Sequence, residues 1–286
     1  MSGWGQAGLS TALLAAYAVP YAVRARTLRR RGRPVPAWRL GCFALAFVLL
    51  VFAVSPFVDR AADERLSAHM AEHLLIGDLA PLLLVLAMTG PLLAPVLRLP
   101  GVGRLRRLSH PVLALVLWAA SLYLWHLRIA YEAAVRHDVI HVLEHACFFA
   151  FGVNLWLALL GPLPKPAWFG TGARLAYVVA VSLVGAGLSY TLAWADRPLY
   201  PIYGIRDQGA AGGVMLVEQS VVVVGLLGWL LWRALRDAER RQVLAERAAA
   251  AGVAVDRRRI ARAVAADRDE ELESRLISGT SSRFER

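Results

Sequence analysis

The sequence contains very little cysteine, which excludes a fold held together by disulfide bonds. Its 286 residues include two cysteines, Cys42 and Cys147, and both lie inside apolar runs. They form no Cys-x-x-Cys pair and imply no disulfide framework. The stability of the fold must therefore come from packing, and the chemistry of the protein must come from other side chains.

The sequence also lacks the strict alternation of apolar and polar residues that marks transmembrane β-strands. Instead, 58% of its residues are hydrophobic, which is too many for an ordinary soluble domain. These residues come in runs of about 20, long enough to cross a hydrocarbon core of ~30 Å. The pattern predicts an all-α, polytopic membrane protein.

No positive charge precedes the first apolar run, whereas a cleavable signal peptide begins with one. Residues 1–8 therefore predict no cleavable signal, and the arginine cluster follows the first run instead. That arrangement favours a first helix inserted with its N-terminus outside the cell.

Seven apolar segments are predicted to span the membrane. Their approximate bounds are 9–23, 38–57, 67–91, 111–130, 139–160, 173–194 and 211–232. Loops 1, 3 and 5 carry seven, four and two basic residues, whereas loops 2, 4 and 6 carry two each, offset by acidic residues. The positive-inside rule then places the N-terminus outside and the C-terminus in the cytoplasm.

The last part of the chain has a different composition. Residues 1–232 form the predicted transmembrane domain, and residues 233–286 hold 13 arginines and 10 acidic residues. We interpret 233–286 as a charged cytoplasmic tail, helical or partly disordered, which is either simply solvated or docks a partner. The net charge of +11 comes from this tail and from alternate loops. Topology explains that charge, so we predict no nucleic-acid partner.

Five of the seven histidines lie in two clusters where membrane segments begin. His69 and His73 open the third predicted helix, and His137, His141 and His145 open the fifth. Side chains at i and i+4 share one helix face. The predicted topology places both clusters at the outer surface of the membrane.

The two other histidines receive separate interpretations. His126 closes the fourth predicted helix on the outer side, and the sequence leaves its role open. His110 lies on the cytoplasmic side, and we interpret it as a helix-start residue without a function.

These clusters predict a metal site between the third and fifth helices. Imidazole is the commonest transition-metal ligand, and thioether with imidazole suits copper. The candidate ligands are His69, His73, His141, His145, Met70, His137 and Met215. Met215 is either an extra soft ligand or a packing residue. Glu72 and Glu144 are expected to fix the imidazole tautomers as hydrogen-bond partners.

A simpler interpretation is that the histidines only form hydrogen bonds between helices. Two i,i+4 pairs at one depth favour a functional site, because ionisable residues inside a membrane usually serve function. Asp78 points about 140° away from His73. We expect Asp78 to face another helix or a buried polar network with Asn154 or Gln219.

Three blocks of the sequence resemble a known family in the same order. The blocks are SAHMAEHLL with APLLLVLAMTGPLL, then HDVIHVLEHACFFAFGVNLW, then ADRPLYPIYGIRDQGAAGGVMLVE. Together they cover roughly residues 65–233 and resemble the CtaG-like membrane family, which is associated with assembly of caa3-type cytochrome c oxidase.

The resemblance implies a multi-pass protein of the bacterial plasma membrane that handles copper during oxidase biogenesis. Its implied partners are cytochrome c oxidase subunits or another copper chaperone, besides membrane lipid. The motif positions carried over are His69, His73, His141 and His145, with Met70, Asp207, Gln208 and Met215 behind them. An unrelated single-span copper chaperone shares the family's name but uses a cysteine motif that this sequence lacks.

We expect a copper-binding assembly factor that is not an enzyme, and three alternatives stay open. The first is a membrane haem b protein with bis-histidine ligation. The second is an enzyme whose metal activates water with Glu72 or Glu144 as general base, although the His-Glu-x-x-His order is absent. The third is a proton-coupled transporter that uses Asp78 and Glu218.

Overall fold

The computed structural model describes residues 18–99, 109–265, 270–272 and 274. These residues form helices and contain no strand, which confirms the all-α prediction. In chain order the helices are α1 (18–30), α2 (Ala37–Ala53), α3 (Pro56–Glu64), α4 (Leu66–Ala87), α5 (Gly90–Leu97), α6 (Pro111–Trp125), α7 (Arg128–Arg136), α8 (Asp138–Leu160), α9 (Thr171–Trp194), α10 (Ile205–Ala250) and α11 (Arg257–Ala265).

Four of these helices, α4, α8, α9 and α10, are long and apolar enough to cross a membrane. The number rises to six if the bent pairs α2–α3 and α6–α7 each count as one span. The first predicted segment, 9–23, falls mostly outside the described residues. Seven spans, and the orientation of the termini, therefore stay predictions.

Both bent pairs differ from the straight segments that hydropathy predicts. The angle is 54° between α2 and α3 and 70° between α6 and α7. Ser55 starts α3 by accepting a hydrogen bond from the Val58 backbone N–H, and Pro56 occupies the first helical position, which proline favours. The acidic residues assigned to the second loop therefore lie on a helix.

Helix α10 is longer than the predicted segment 211–232, because it runs from Ile205 to Ala250. The chain divides into two compact units, Met1–Val223 and Val224–Arg286. Within the second unit, buried side chains of α10 and α11 pack with Leu272. The predicted boundary between a membrane domain and a tail at residue 233 stays a prediction.

Helices α4 and α8 carry the two histidine clusters and pack directly against each other. Below His73, α4 widens into a π-helical turn at Leu75–Leu79. Here Gly77 faces Gly152 of α8 so closely that a Cβ at Gly152 would overlap the Gly77 carbonyl oxygen. Glycines at a helix contact let two backbones approach closely. This contact sets the distance between the two clusters.

Candidate metal centre

Four imidazole rings from α4 and α8 form one cluster. Within each helix, the ring centroids of His69 and His73 lie 4.3 Å apart, and those of His141 and His145 lie 4.2 Å apart. Across the helices, His69 lies 5.5 Å from His141 and His73 lies 5.2 Å from His145. The structure thus brings together the four histidines that the sequence paired by i,i+4 spacing.

Two glutamates complete the cluster. Oε2 of Glu144 lies 3.8 Å from Nε2 of His73, and Oε1 of Glu72 lies 3.8 Å from Nε2 of His145. Both carboxylates are buried, and the Glu144 side chain is 0% exposed. Each glutamate therefore reaches across to the histidine of the opposite helix.

The buried polar atoms of this cluster lack hydrogen-bond partners among the described residues. The atoms without partners are Nε2 of His69, His141 and His145, both ring nitrogens of His73, Oε2 of Glu72 and both carboxylate oxygens of Glu144. An unpaired buried polar group costs about 1–3 kcal/mol, and each such group needs an explanation. A metal ion bound by the lone pairs of these atoms would explain why they have no hydrogen-bond partner among the described residues.

Two sets of these side chains could hold a metal ion, with each residue offering one ligand atom. In each set, every ligand atom lies within 4.8 Å of every other. The first set is His69, His73, His141 and Glu144, and the second is Glu72, His141 and His145.

Asp207 at the start of α10 holds the start of α4. Its carboxylate accepts hydrogen bonds from the backbone N–H groups of Leu66 (2.6 Å) and Ser67 (3.3 Å), and from the Ser67 hydroxyl (2.6 Å). The first N–H groups of a helix have no partner inside the helix, and a carboxylate also favours this positive end. This cap fixes α4 one turn before His69.

Gln208 and three tyrosines lie at the end of the cluster where α4 begins. Gln208 is fully buried and accepts a hydrogen bond from the Leu199 N–H in the α9–α10 connection. In that connection, Tyr200 donates to the His126 carbonyl oxygen, and Tyr203 contacts the Tyr131 hydroxyl at 3.1 Å. Burial raises the pKa of the Tyr200 and Tyr203 hydroxyls, so both stay protonated.

The two methionines among the candidate ligands, Met70 and Met215, lie beside the histidine cluster. Sδ of Met70 lies 3.3 Å from Nε2 of His126, at the bend between α6 and α7. Met215 is buried with Met70 in one apolar cluster. The structure therefore assigns Met70 a direct histidine partner outside the four clustered rings.

Two further histidines, His137 and His110, are exposed. His137, a candidate ligand, is exposed at the residue before α8. His110 is exposed before α6, and its ring lies 5.8 Å from the Trp168 ring.

A cavity extends from the cluster towards a second polar group deeper in α4. Its lining includes Met70, His73, His126, Met215, Asp78 and Glu218. Asp78 accepts a hydrogen bond of 2.6 Å from Nε1 of Trp156 and also pairs with Glu218. The expectation that Asp78 faces a buried polar network is met by these two partners. Asn154 instead accepts a hydrogen bond from Ser109.

Acidic side chains lie near His141, one of the two partly exposed rings of the cluster. His141 is partly exposed and interacts electrostatically with Asp59 and Asp63 of α3 and with Asp138 of α8. Clefts with charge of one sign concentrate ions of the opposite sign. A cation approaching His141 would meet this negative potential first.

Sequence reasoning placed Glu72 and Glu144 outside the ligand set, and the structure places both carboxylates among the histidine nitrogens. The sequence does contain a signal for this role. The pattern His-x-x-Glu-His occurs at 69–73 and again at 141–145. It places a carboxylate on the same helix face as both imidazoles, since i, i+3 and i+4 are neighbours.

The fold and the cluster define a class: a helical membrane protein with a buried histidine–glutamate centre between two spans. The chain belongs to the cytochrome c oxidase caa3 assembly factor family (Caa3_CtaG), whose family model matches residues 19–237. This confirms the resemblance found in the three sequence blocks. An assembly factor points to a role without catalysis.

Curated relatives come from mycobacteria. Uncharacterized protein Mb0105 of Mycobacterium bovis and uncharacterized protein MT0111 of Mycobacterium tuberculosis are each 29% identical over 242 residues. The aligned region covers 72% of this chain and 36% of each relative. Uncharacterized protein ML1998 of Mycobacterium leprae is 26% identical over 196 residues, covering 62% of this chain and 27% of that protein. This chain thus spans about a third of the relatives' length. No solved structure matches.

Proposed function

We propose that this protein binds copper at the histidine–glutamate centre, at the outer face of the plasma membrane, and holds it for cytochrome c oxidase during assembly. The observation that carries the proposal is the convergence of buried imidazole and carboxylate atoms that have no hydrogen-bond partner among the described residues. Membership of the family supports the role in oxidase assembly, and the imidazole and carboxylate ligands support the binding of copper.

The donor set supports a transition metal. Imidazole suits copper, zinc, iron and nickel, whereas an all-oxygen site would suit magnesium or calcium. Copper stands near the top of the affinity order for such nitrogen and oxygen sites. The family resemblance implies copper handling during oxidase assembly, which favours copper over the other metals that imidazole binds.

Side chains around the cluster support both the uptake and the transfer of copper. The acidic residues near His141 would attract a cation to the accessible edge of the centre. The pair Met70 and His126, whose Sδ and Nε2 atoms lie 3.3 Å apart, offers soft donors directly beside the cluster. Sulfur donors favour Cu(I), so this pair suits copper in its monovalent state.

The cluster favours a bare ion over haem b. A porphyrin ring must fit between the two imidazoles that bind its iron from opposite faces. Here the facing rings of His73 and His145 lie 5.2 Å apart, and each has a glutamate oxygen 3.8 Å from its Nε2. Each of these imidazole nitrogens, which a haem iron would have to reach, thus already faces a carboxylate oxygen.

Proton-coupled transport is a second candidate, and one observation favours it. The cavity that touches His73 also touches Asp78 and Glu218, which pair with each other. Ionisable residues inside a membrane often mark proton or ion pathways. Asp78→Asn should reduce uptake of copper into cells if the pair works in transport, whereas an assembly factor alone would keep wild-type uptake.

The proposal is tested in a strain that lacks the chromosomal copy and expresses variants of this protein. His73→Ala should lower the amount of assembled oxidase in membranes, measured by its haem a absorbance and by cytochrome c oxidation. His110→Ala is the matched control, because His110 is exposed outside the cluster. Wild-type oxidase levels with His73→Ala, at equal amounts of membrane-inserted protein, would contradict the proposal.

A further inference from the structure

The His-x-x-Glu-His pattern occurs once on α4 and once on α8, at 69–73 and 141–145. On each helix the two imidazoles and the carboxylate lie on one face, because they are spaced i, i+3 and i+4. The two faces are turned towards each other, since the rings of His69 and His141 lie 5.5 Å apart. Six metal-binding side chains are therefore contributed equally by two helices.

The contacts between the two patterns are reciprocal. Glu144 of α8 approaches His73 of α4 at 3.8 Å, and Glu72 of α4 approaches His145 of α8 at the same distance. The spacing within each imidazole pair is also matched, with ring centroids 4.3 Å and 4.2 Å apart. One half of the cluster thus repeats the other with the helices exchanged.

We propose that the centre holds two Cu(II) ions, each bound by two histidines of one helix and the glutamate of the other. Position A consists of His69, His73 and Glu144. Position B consists of His141, His145 and Glu72. This inference rests on the proposed copper binding and adds its stoichiometry, its ligand partition and the oxidation state.

The distances support this partition. The ligand atoms of position A all lie within 4.8 Å of one another, and so do those of position B. His141 is also near position A, so the two positions adjoin. A single four-coordinate ion would use four of these six side chains and leave the other two without a metal partner.

The chemistry of the donors supports the divalent state. Each position combines two imidazoles with one carboxylate, a set that binds divalent first-row metals and leaves coordination sites open. Carboxylates are hard ligands, and Cu(I) prefers sulfur. Sδ of Met70 lies against Nε2 of His126, beside the cluster and outside both proposed positions.

The partition also explains the burial of the two carboxylates. Glu72 and Glu144 are 2% and 0% exposed, yet the cluster contains no basic side chain other than histidine among the described residues. A buried carboxylate without a cationic partner is very costly. A dication at each position would lie directly against one of the two carboxylates, so that each buried carboxylate would have its own cationic partner.

The test is the copper content of the purified full-length protein after incubation with Cu(II) sulfate and removal of loose metal on a chelating resin. Elemental analysis should give two copper ions per chain for the wild type and for His110→Ala. Glu72→Gln and Glu144→Gln should each bind one, since each change removes the carboxylate of one position and keeps its shape.

A second measurement does not depend on any variant. Two Cu(II) ions in adjoining positions couple magnetically, so the wild-type EPR signal should account for less Cu(II) than elemental analysis finds. Each glutamine variant, with one ion, should recover an EPR signal that matches its copper content.

The outcomes separate this inference from the proposed function. One copper ion per chain in the wild type and in both glutamine variants, with full EPR intensity, would overturn the paired site and leave copper binding standing. Two ions in both variants would overturn the assignment of the carboxylates. A wild type that binds no copper would overturn both proposals.

Discussion

At the scale of single residues, Asp207 shows how a side chain outside the cluster positions it. Its carboxylate joins the first turn of α10 to the first backbone N–H groups of α4. His69 and His73 occupy the next two turns of α4, so their location depends on where that helix starts. Asp207 therefore helps to position the histidine cluster without belonging to it.

Asp207→Ala should destabilise the protein by about 0.5–2 kcal/mol, the usual cost of losing a helix cap. Thermal unfolding in detergent measures the change. Asp196→Ala is the matched control, because Asp196 is exposed in the connection between α9 and α10. Equal unfolding temperatures for the two variants would show that the Asp207 cap contributes nothing to stability.

At the residue scale, the sequence predicts which histidines pair within one helix but not which side chains meet between helices. The i,i+4 spacing was enough to select His69, His73, His141 and His145, because helix periodicity is local. The contact of Glu144 with His73 joins residues far apart in sequence, and no periodicity reports it. His137 has the same spacing from His141 but is exposed at the residue before α8, and spacing alone does not report this difference in burial.

At the scale of helices, the approach of α4 to α8 decides whether the two histidine pairs can meet. The π-helical turn at Leu75–Leu79 and the contact of Gly77 with Gly152 lie directly below the cluster. π-helical turns occur frequently at functional sites, where an extra residue in the turn re-aims the side chains around it. Here that turn begins at Leu75, two residues after His73.

Gly152→Ala should push α8 away from α4, because the added methyl group overlaps the Gly77 carbonyl oxygen. Inserting extra volume into a packed contact costs about 1–3 kcal/mol. We expect copper binding to weaken together with stability, measured by titration with Cu(II) and by thermal unfolding.

The control for this change is Gly213→Ala on α10, where an added Cβ meets nothing within 4 Å. That variant should keep wild-type copper affinity. If Gly152→Ala also kept it, the close contact would not set the distance between the two histidine pairs.

Hydropathy predicts the bounds of several helices well, but it does not predict the angles between successive helices. The bounds of α8 and α9 lie within two residues of the predicted segments 139–160 and 173–194. The bends at Ser55 and His126 were missed, because apolar composition does not report the angle between successive helices. The bend at His126 matters for the site, since it brings this ring to Met70.

At the scale of the whole molecule, the predicted orientation decides which side of the membrane the centre faces. The excess of arginine in loops 1 and 3 predicts that the start of α4 faces outwards. A copper centre on that side would be open to metal from outside the cytoplasm. The family alone does not decide this point.

Reporter fusions test the orientation. An enzyme reporter that is active only outside the cytoplasm should be active when inserted near Asp63 and inactive when fused after Arg286. A cytoplasm-specific reporter at the same two positions should give the reverse pattern. Activity of the outside reporter after Arg286, with none near Asp63, would place the histidine centre on the cytoplasmic side.

The central claim is that the histidines of α4 and α8 bind copper together, and the most direct test is copper per chain in purified His73→Ala and His141→Ala variants. His73 is buried and His141 lies at the accessible edge, so the two changes probe both sides of the cluster. We predict that the wild type carries copper and that each variant, inserted normally into membranes, loses at least half of it. Wild-type copper content in both variants would contradict the account, and the histidines would then serve only to join the helices.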